Sequence, residues 1–599
     1  MSAPSFDRLA FLRFAPSRRT LGTVGWPLLL ASVLLVAFLG GCQKKTPRAR
    51  GTRGTASGAN SSQELTQALE LLQQLDQVSM ERATADLAYF LNRWYDPQPK
   101  DADWKPDALA ERLPRQLRDL YPLEELARRN FDLHDTRMLF EARWTRDISD
   151  WASRQTPPKS LADWLAARQP ALSREDAEQL VIAERLFDWT VRNIQLEPLL
   201  PYVAEAVGTP AAAGANAPPQ AANLPPYLRG IPGPGYTREA WQTLMLGHGD
   251  AWERARVFGL LARQQNLDAV VLAVFDVKAS PRPEVWSVGV LIGDQLFLFD
   301  PALGLPIPGP EGQGIATLAE VRANGALLSA LHVDDLVYPV QASDLEHLVV
   351  LIDAAPASIS QRMQLLEKQL AGEHRMVLTV NPGGLAERVR KSPGVGNVNL
   401  WTTPWEAELF SAAVERIAKE DPPLAIRQRL SELSLFSEIS PLVQGRFQQF
   451  RGVFANDDDV TGAKGHYLKT RLPDEVLDNL ANDEGAQRAM GLVRDKFESD
   501  NAWRNKLMFV QAYSKTAKFT GSYWLGLVHY ESGQYDVAAD WFQVRTLDVA
   551  GPTPWKPGAR YNLARCYENL GKITAAKTLL LDDDSPQKHG NALRARYLK

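Results

Sequence analysis

Glu284 and Asp300 close two short apolar segments that read as the arms of one hairpin. Two carboxylates brought together there would be the residue types for proton transfer to and from a bound substrate. Trp286 follows on the first arm, and His248, Trp252 and Glu253 stand just upstream. Aromatic faces beside carboxylates suit a peptide, an amine or a sugar, so these four are candidates for lining a groove. The favoured reading is plainer: the tryptophans as core, Asp300 as a cap on the turn before Pro301, and His248 as a residue leading into a helix. Nucleophilic chemistry needs an activated nucleophile, a base and a group that orients the base. The chain has two cysteines, Cys42 and Cys566, and neither stands in this stretch. Cys566 falls in an apolar helical segment and reads as a small core residue. There is no P-loop, no zinc-spaced histidine pair and no serine nucleophile elbow, and no cofactor or metal is expected. Asn456 to Gly462 half-matches a calcium loop, but Leu468 takes the place of its bidentate glutamate, so a solvated turn is expected.

The stretch Gly247-His-Gly-Asp-Ala-Trp-Glu-Arg-Ala-Arg-Val-Phe258 resembles the start of the nucleophile helix of transglutaminase-like domains. There a cysteine sits four residues before a small helix residue; counting back from Ala255 gives Ala251. The family's histidine, two residues before a Trp on the next strand, falls on Glu284. Its aspartate, before a proline, is matched by Asp300-Pro301. Phe187-Asp-Trp-Thr-Val-Arg-Asn-Ile194 is similar to the helix that opens many bacterial members. The resemblance covers residues 173–345 and implies a papain-like α+β core whose triad positions have degenerated to Ala251, Glu284 and Asp300. A non-catalytic binding or scaffold protein is therefore expected. The alternative is an envelope hydrolase or transferase acting on peptide or cell-wall material with a relocated site at Glu284 and Asp300.

The elements that would position these residues follow from periodicity. Leu180, Ala183, Leu186, Trp189 and Ile194 mark an amphipathic helix over 173–195, and Ala255, Phe258, Leu261 and Ala262 mark another over 250–265. Asp250 is placed to cap the second. A buried strand is expected at 269–277, and a hairpin at 285–292 and 295–299 turns at Gly293-Asp294. Pro201 to Tyr236 is a Pro/Ala-rich insertion, a disordered loop or a lid. Helices are expected over 63–172, including one from Leu139 to Arg154. An α+β appendage at 346–400 carries strands at 348–352 and 376–380 around a helix at 358–370, and a second helical region spans 401–515.

Residues 516–599 contain two units that resemble tetratricopeptide repeats: Leu525-Gly526, Tyr530, Gly533, Tyr535, Ala538, Phe542, then Leu563-Ala564, Tyr567, Gly571, Ile573, Ala576, Leu580. Such arrays present faces suited to peptides or helices, so a protein partner is expected at the C-terminus. The expected fold is a predominantly helical, multidomain α+β protein.

The N-terminus reads as an address. Arg8, Arg13, Arg18 and Arg19 precede an apolar run from Leu21 to Gly41, which ends Leu39-Gly40-Gly41-Cys42. This resembles a bacterial lipoprotein signal, with residues 1–41 removed and Cys42 lipidated; an uncleaved membrane anchor is the alternative. Gln43 after the cysteine favours the outer membrane by the same resemblance, as a cell-envelope protein facing the periplasm or the cell surface. Residues 42–62 are Gly/Ser/Thr-rich and basic, and a flexible tether is expected. The net charge is −4, and removal of residues 1–41, with four arginines and Asp7, makes it about −7. An acidic chain without a basic face argues against nucleic acid.

Overall fold

The computed structural model describes residues 57–598, apart from 129, most of 157–171, 200–236, 276–282, most of 418–438, and 552. Residues 1–41, read as a signal, Cys42 and the 201–236 insertion lie outside the described residues. The chain is a mostly helical α+β protein. Residues 473–514 form one compact unit, whose small core joins Leu480, Ala486 and Leu507 with Trp503. Residues 55–472 and 515–599 form the other.

In the larger unit, helices α1 (Ser57–Gln73) and α2 (Met80–Tyr95) pair first. Helix α1 already begins inside the stretch expected to be a tether. Helix α3 (Leu133–Ala152) starts more than a turn before Leu139, because Asp132 and Asp135 cap it reciprocally. Helix α4 (Arg174–Asn193) is capped by Ser173, and it leads into a short strand, β1 (Gln195–Leu196). After the undescribed insertion come α5 (Ala240–Leu246), β2 (His248–Gly249), which pairs with β1, and α6 (Ala251–Gln264). Asp250 caps α6 as expected, accepting from Trp252 N and Glu253 N while Glu253 reaches back to Asp250 N.

The sheet that follows has the order β6-β5-β4-β3-β7-β8, with β3 (Asp268–Val274), β4 (Glu284–Ile292), β5 (Gln295–Asp300), β6 (Leu305–Pro306), β7 (Val349–Ile352) and β8 (Asn397–Leu400). The hairpin pairs Ile292 with Gln295, so Gly293-Asp294 is its turn. Strand β7 continues this sheet by pairing with β3, and the contiguous apolar core runs from Val270 and Leu298 through Val350 to Leu400. Residues 376–380 do not form the expected strand. Three of their amides are taken by side chains instead: Val377 N by Gln264 Oε1, Leu378 N and Thr379 N by the Glu367 carboxylate at the end of α7 (Gln361–Glu367). The place beside β7 goes to β8, whose asparagines gave no strand signal.

The later helices are α8 (Thr403–Ile417), α9 (Pro441–Phe450), α10 (Asp500–Glu531), α11 (Tyr535–Phe542), α12 (Lys556–Asn569), α13 (Ile573–Leu581) and α14 (Lys588–Tyr597). The two expected repeats are thus two helix pairs, α10–α11 and α12–α13. Gly533 and Gly571 stand at equivalent turns, both with φ near +70° (72° and 71°), where a side chain would be strained. Helix α14 packs on α13 and extends the array.

Candidate functional site

Ala251 is the first residue of α6 and is half-buried, so the position that the sequence resemblance aligns with a nucleophile carries a methyl group. The polar groups around it hold the chain together. Asp250 and Glu253 close the helix start, and Arg238 donates from Nη1 to Glu253 (2.9 Å) and to Glu197 (2.8 Å). His248 Nδ1 lies 3.0 Å from the other Glu197 oxygen, and its ring meets Trp555 edge-on. Burial opposes ionisation of Glu197, yet His248 and Arg238 together hold its carboxyl down at about 2. Asp250 moves the opposite way, raised by burial and by the charge of Glu253.

Trp252 is buried beside Trp401, with ring centroids 6.5 Å apart, and Trp286 belongs to the sheet core. Neither tryptophan offers a face to a ligand, and Glu253 is spent on Arg238 and the helix cap. Of the four residues expected to line a groove, His248 alone keeps partial exposure.

The carboxylate pair is not assembled. Glu284 is exposed at the start of β4. Asp300 is buried at the end of β5, and both its oxygens are occupied. Oδ1 accepts from Ala302 N and Leu303 N, and Oδ2 accepts from Tyr338 O–H at 2.5 Å. Trp286 Nε1 donates to the same Tyr338 oxygen at 2.7 Å, aided by a bulge in β4 between Val285 and Ser287. Burial raises the Asp300 pKa, and these hydrogen bonds counter it in part. Asp300 therefore keeps the turn-capping role that its sequence context suggested.

No protein-family model, curated protein or solved structure matches the chain.

Among the described residues no group of three or more His, Cys, Asp or Glu could hold a metal ion, and no helix is long and apolar enough to cross a membrane. Asp457 folds back on Asp459 N and Val460 N as a simple turn. Cys566 is buried on α12, and burial pushes its thiol up to about 12.

Sequence reasoning missed how the repeats meet the core. Helix α12 lies against α4: Arg565 Nη1 reaches Asp188 Oδ1 at 2.6 Å and Asn562 donates to Arg192 O. Arg192 pairs with Glu531 at the end of α10. Two further arginines are buried without a carboxylate. Arg254 donates to Val191 O, Ile194 O and Gln587 Oε1, and Arg446 donates twice to Leu244 O. Each closes the carboxyl end of a helix, where the negative end of the dipole favours a cation. Burial lowers both pKa values to about 10. A small pocket, with room for no more than about a water molecule, lies beside Arg254 and is lined by Gln195, Tyr523, Asn562 and Gln587. No periodicity marks these arginines, because each one's partners come from elements remote in sequence.

Proposed function

We propose that this chain is a non-catalytic scaffold of the cell envelope, lipid-anchored through Cys42, which binds a protein partner on the outer surface of its helical repeats. The reading rests on one observation above others. Where the family resemblance places a nucleophile, Ala251 begins α6, and each neighbouring polar group is spent on holding the fold. The rival carboxylate-pair hydrolase draws no support from an exposed Glu284 and an Asp300 whose oxygens are both occupied.

The repeats contribute in a particular way. Their faces on α10 and α12 are taken by α4, so a partner would meet the outer side, where Val537, Val544 and Leu581 are exposed. Truncation before residue 515 would break the buried pairs with α4, so surface substitutions are the cleaner probe. Crosslinking in cells with the Val544→Asp, Leu581→Asp variant is expected to lose a discrete envelope protein that the unaltered chain recovers. Equal recovery from both chains would sink the reading. For the anchor, Cys42→Ala is expected to move the protein out of the membrane fraction, and retention there would favour an uncleaved span.

A further inference from the structure

Helix α5 has seven residues, and both its ends are tied down, the first by charge and the second by backbone hydrogen bonds. At its start Glu239 faces two cations of α3: His134 Nδ1 at 3.8 Å and Arg137 Nη1 at 3.6 Å. The next turn of backbone is held from α3 as well, since Trp241 N donates to Glu141 Oε2 at 3.1 Å. Helix α8 reaches the same place, where Glu415 pairs with Arg137 and Glu408 stands two turns earlier on the same helix. Glu408 is buried, and its Oε2 has no hydrogen-bond partner. At the far end, Gly247 O and Gly249 O accept from Gln195 N and Glu197 N of the β1 segment, which places His248 against Glu197.

We propose that Glu408, His134 and Glu239 form a proton-loaded latch on α5, and that loss of its protons at alkaline pH frees the first turn of α5 and, through it, the His248–Glu197 pair. The charges facing the latch come from every packed element. Helix α3 and its cap supply Asp132, Asp135, Arg137 and Glu141. Helix α6 supplies Arg256, α7 Arg362, and α8 Glu415, while Asp353 follows β7 and Tyr95 ends α2. Tyr121 lies beside Arg362. The arginines are matched: Arg362 by Asp135 (2.7 Å), Arg137 by Glu415 and Glu239, Arg256 by Glu141 and Asp353. Glu408 faces two cations, His134 and Arg256, and Arg256 is already shared between Glu141 and Asp353. Burial and the nearby carboxylates raise Glu408 to about 8. Burial opposes the charge on His134, but Glu239 and Glu408 raise it to about 9. Above that range Glu408 becomes charged as His134 loses its charge, so the cluster becomes more negative by two charges around Glu239. Repulsion then replaces the attraction that seats α5.

The inference is independent of the proposed scaffold role. Hydrogen exchange of the full chain in detergent tests it, with amides 240–247 compared against the β4–β5 hairpin. Between pH 7 and about 9.5, after correction for the chemical rate, protection of 240–247 is expected to fall about tenfold while the hairpin holds. Glu408→Gln, neutral throughout, is expected to move that fall to higher pH. Unchanged protection of α5, a loss shared equally by the hairpin, or a Glu408→Gln profile equal to the original would overturn the proposal. If Glu408→Gln does not fold, the comparison of α5 with the hairpin in the unaltered chain decides alone.

Discussion

Arg192, near the end of α4, and Glu531, at the end of α10, form an ion pair whose side chains are 1% and 0% exposed. Gln155 and Asn193 also donate to the Glu531 carboxylate, so its oxygens are well satisfied. Such a pair adds little over an apolar substitute, but breaking it leaves the buried Arg192 with the Asp188 carboxylate (2.8 Å), which it shares with Arg565. Glu531→Ala, which removes the acceptor of Gln155 and one of the two carboxylate partners of Arg192, is therefore expected to cost about 1–3 kcal/mol. Calorimetric unfolding would show it, and a change near zero would mean the repeats are not fastened at this point.

Gly590 on α14 lies so close to the core that an added Cβ would stand 1.7 Å from Leu303 O. Backbone cannot yield as a flexible side chain can, so Gly590→Ala should lift the last helix away. A loss of about 1–3 kcal/mol or more is expected, with faster proteolysis after residue 585 than in the unaltered chain. Normal resistance to proteolysis would count against this docking.

Tyr338 holds Trp286 and Asp300 through one hydroxyl. Tyr338→Phe leaves a buried donor and a buried carboxylate oxygen short of a partner, each worth about 1–3 kcal/mol. The melting temperature should fall clearly, whereas Glu284→Gln, at an exposed site, should leave it unchanged. A large effect from Glu284→Gln would revive a role for that carboxylate.

Stability should be greatest in mild acid. Burial raises Glu141 to about 7 and Glu184 and Glu408 to about 8, and His134 rises to about 9. A group raised on folding gives its full stabilisation below its unfolded pKa and loses it as pH climbs to the folded value. All four therefore weaken the fold between about pH 5 and 9. Glu197 and Glu239, held near 2, act in the opposite sense and are lost as pH falls from about 4.5 toward 2. A melting temperature that peaks near pH 5 and declines toward 9 is expected; a plateau through 8 would contradict it.

The hairpin, the Asp250 cap and the glycine turns of the repeats were legible in sequence because each is a local pattern read within a dozen residues. Residues 376–380 misled for the same reason. Their apolar alternation fits a strand, but Glu367 and Gln264 satisfy the amides and β8 takes the ladder. The candidate site was less legible. Trp286 and Asp300 were singled out, but their link through Tyr338 depends on a residue 38 positions away from the aspartate. His134 and Glu408 carried no signal at all, since what makes them unusual is the company that folding gives them.

The C-terminal helix carries a consequence for the order in which the protein can be made. Among the described residues Gln587 is the side-chain acceptor for the buried Arg254, His589 reaches Leu331 O, and Arg596 reaches Ala330 O and His332 O. The centre of the larger unit thus waits on residues 587–596 to close. Synthesised from its N-terminus, the chain keeps that centre open, and exposed to proteases and chaperones, until its last helix emerges.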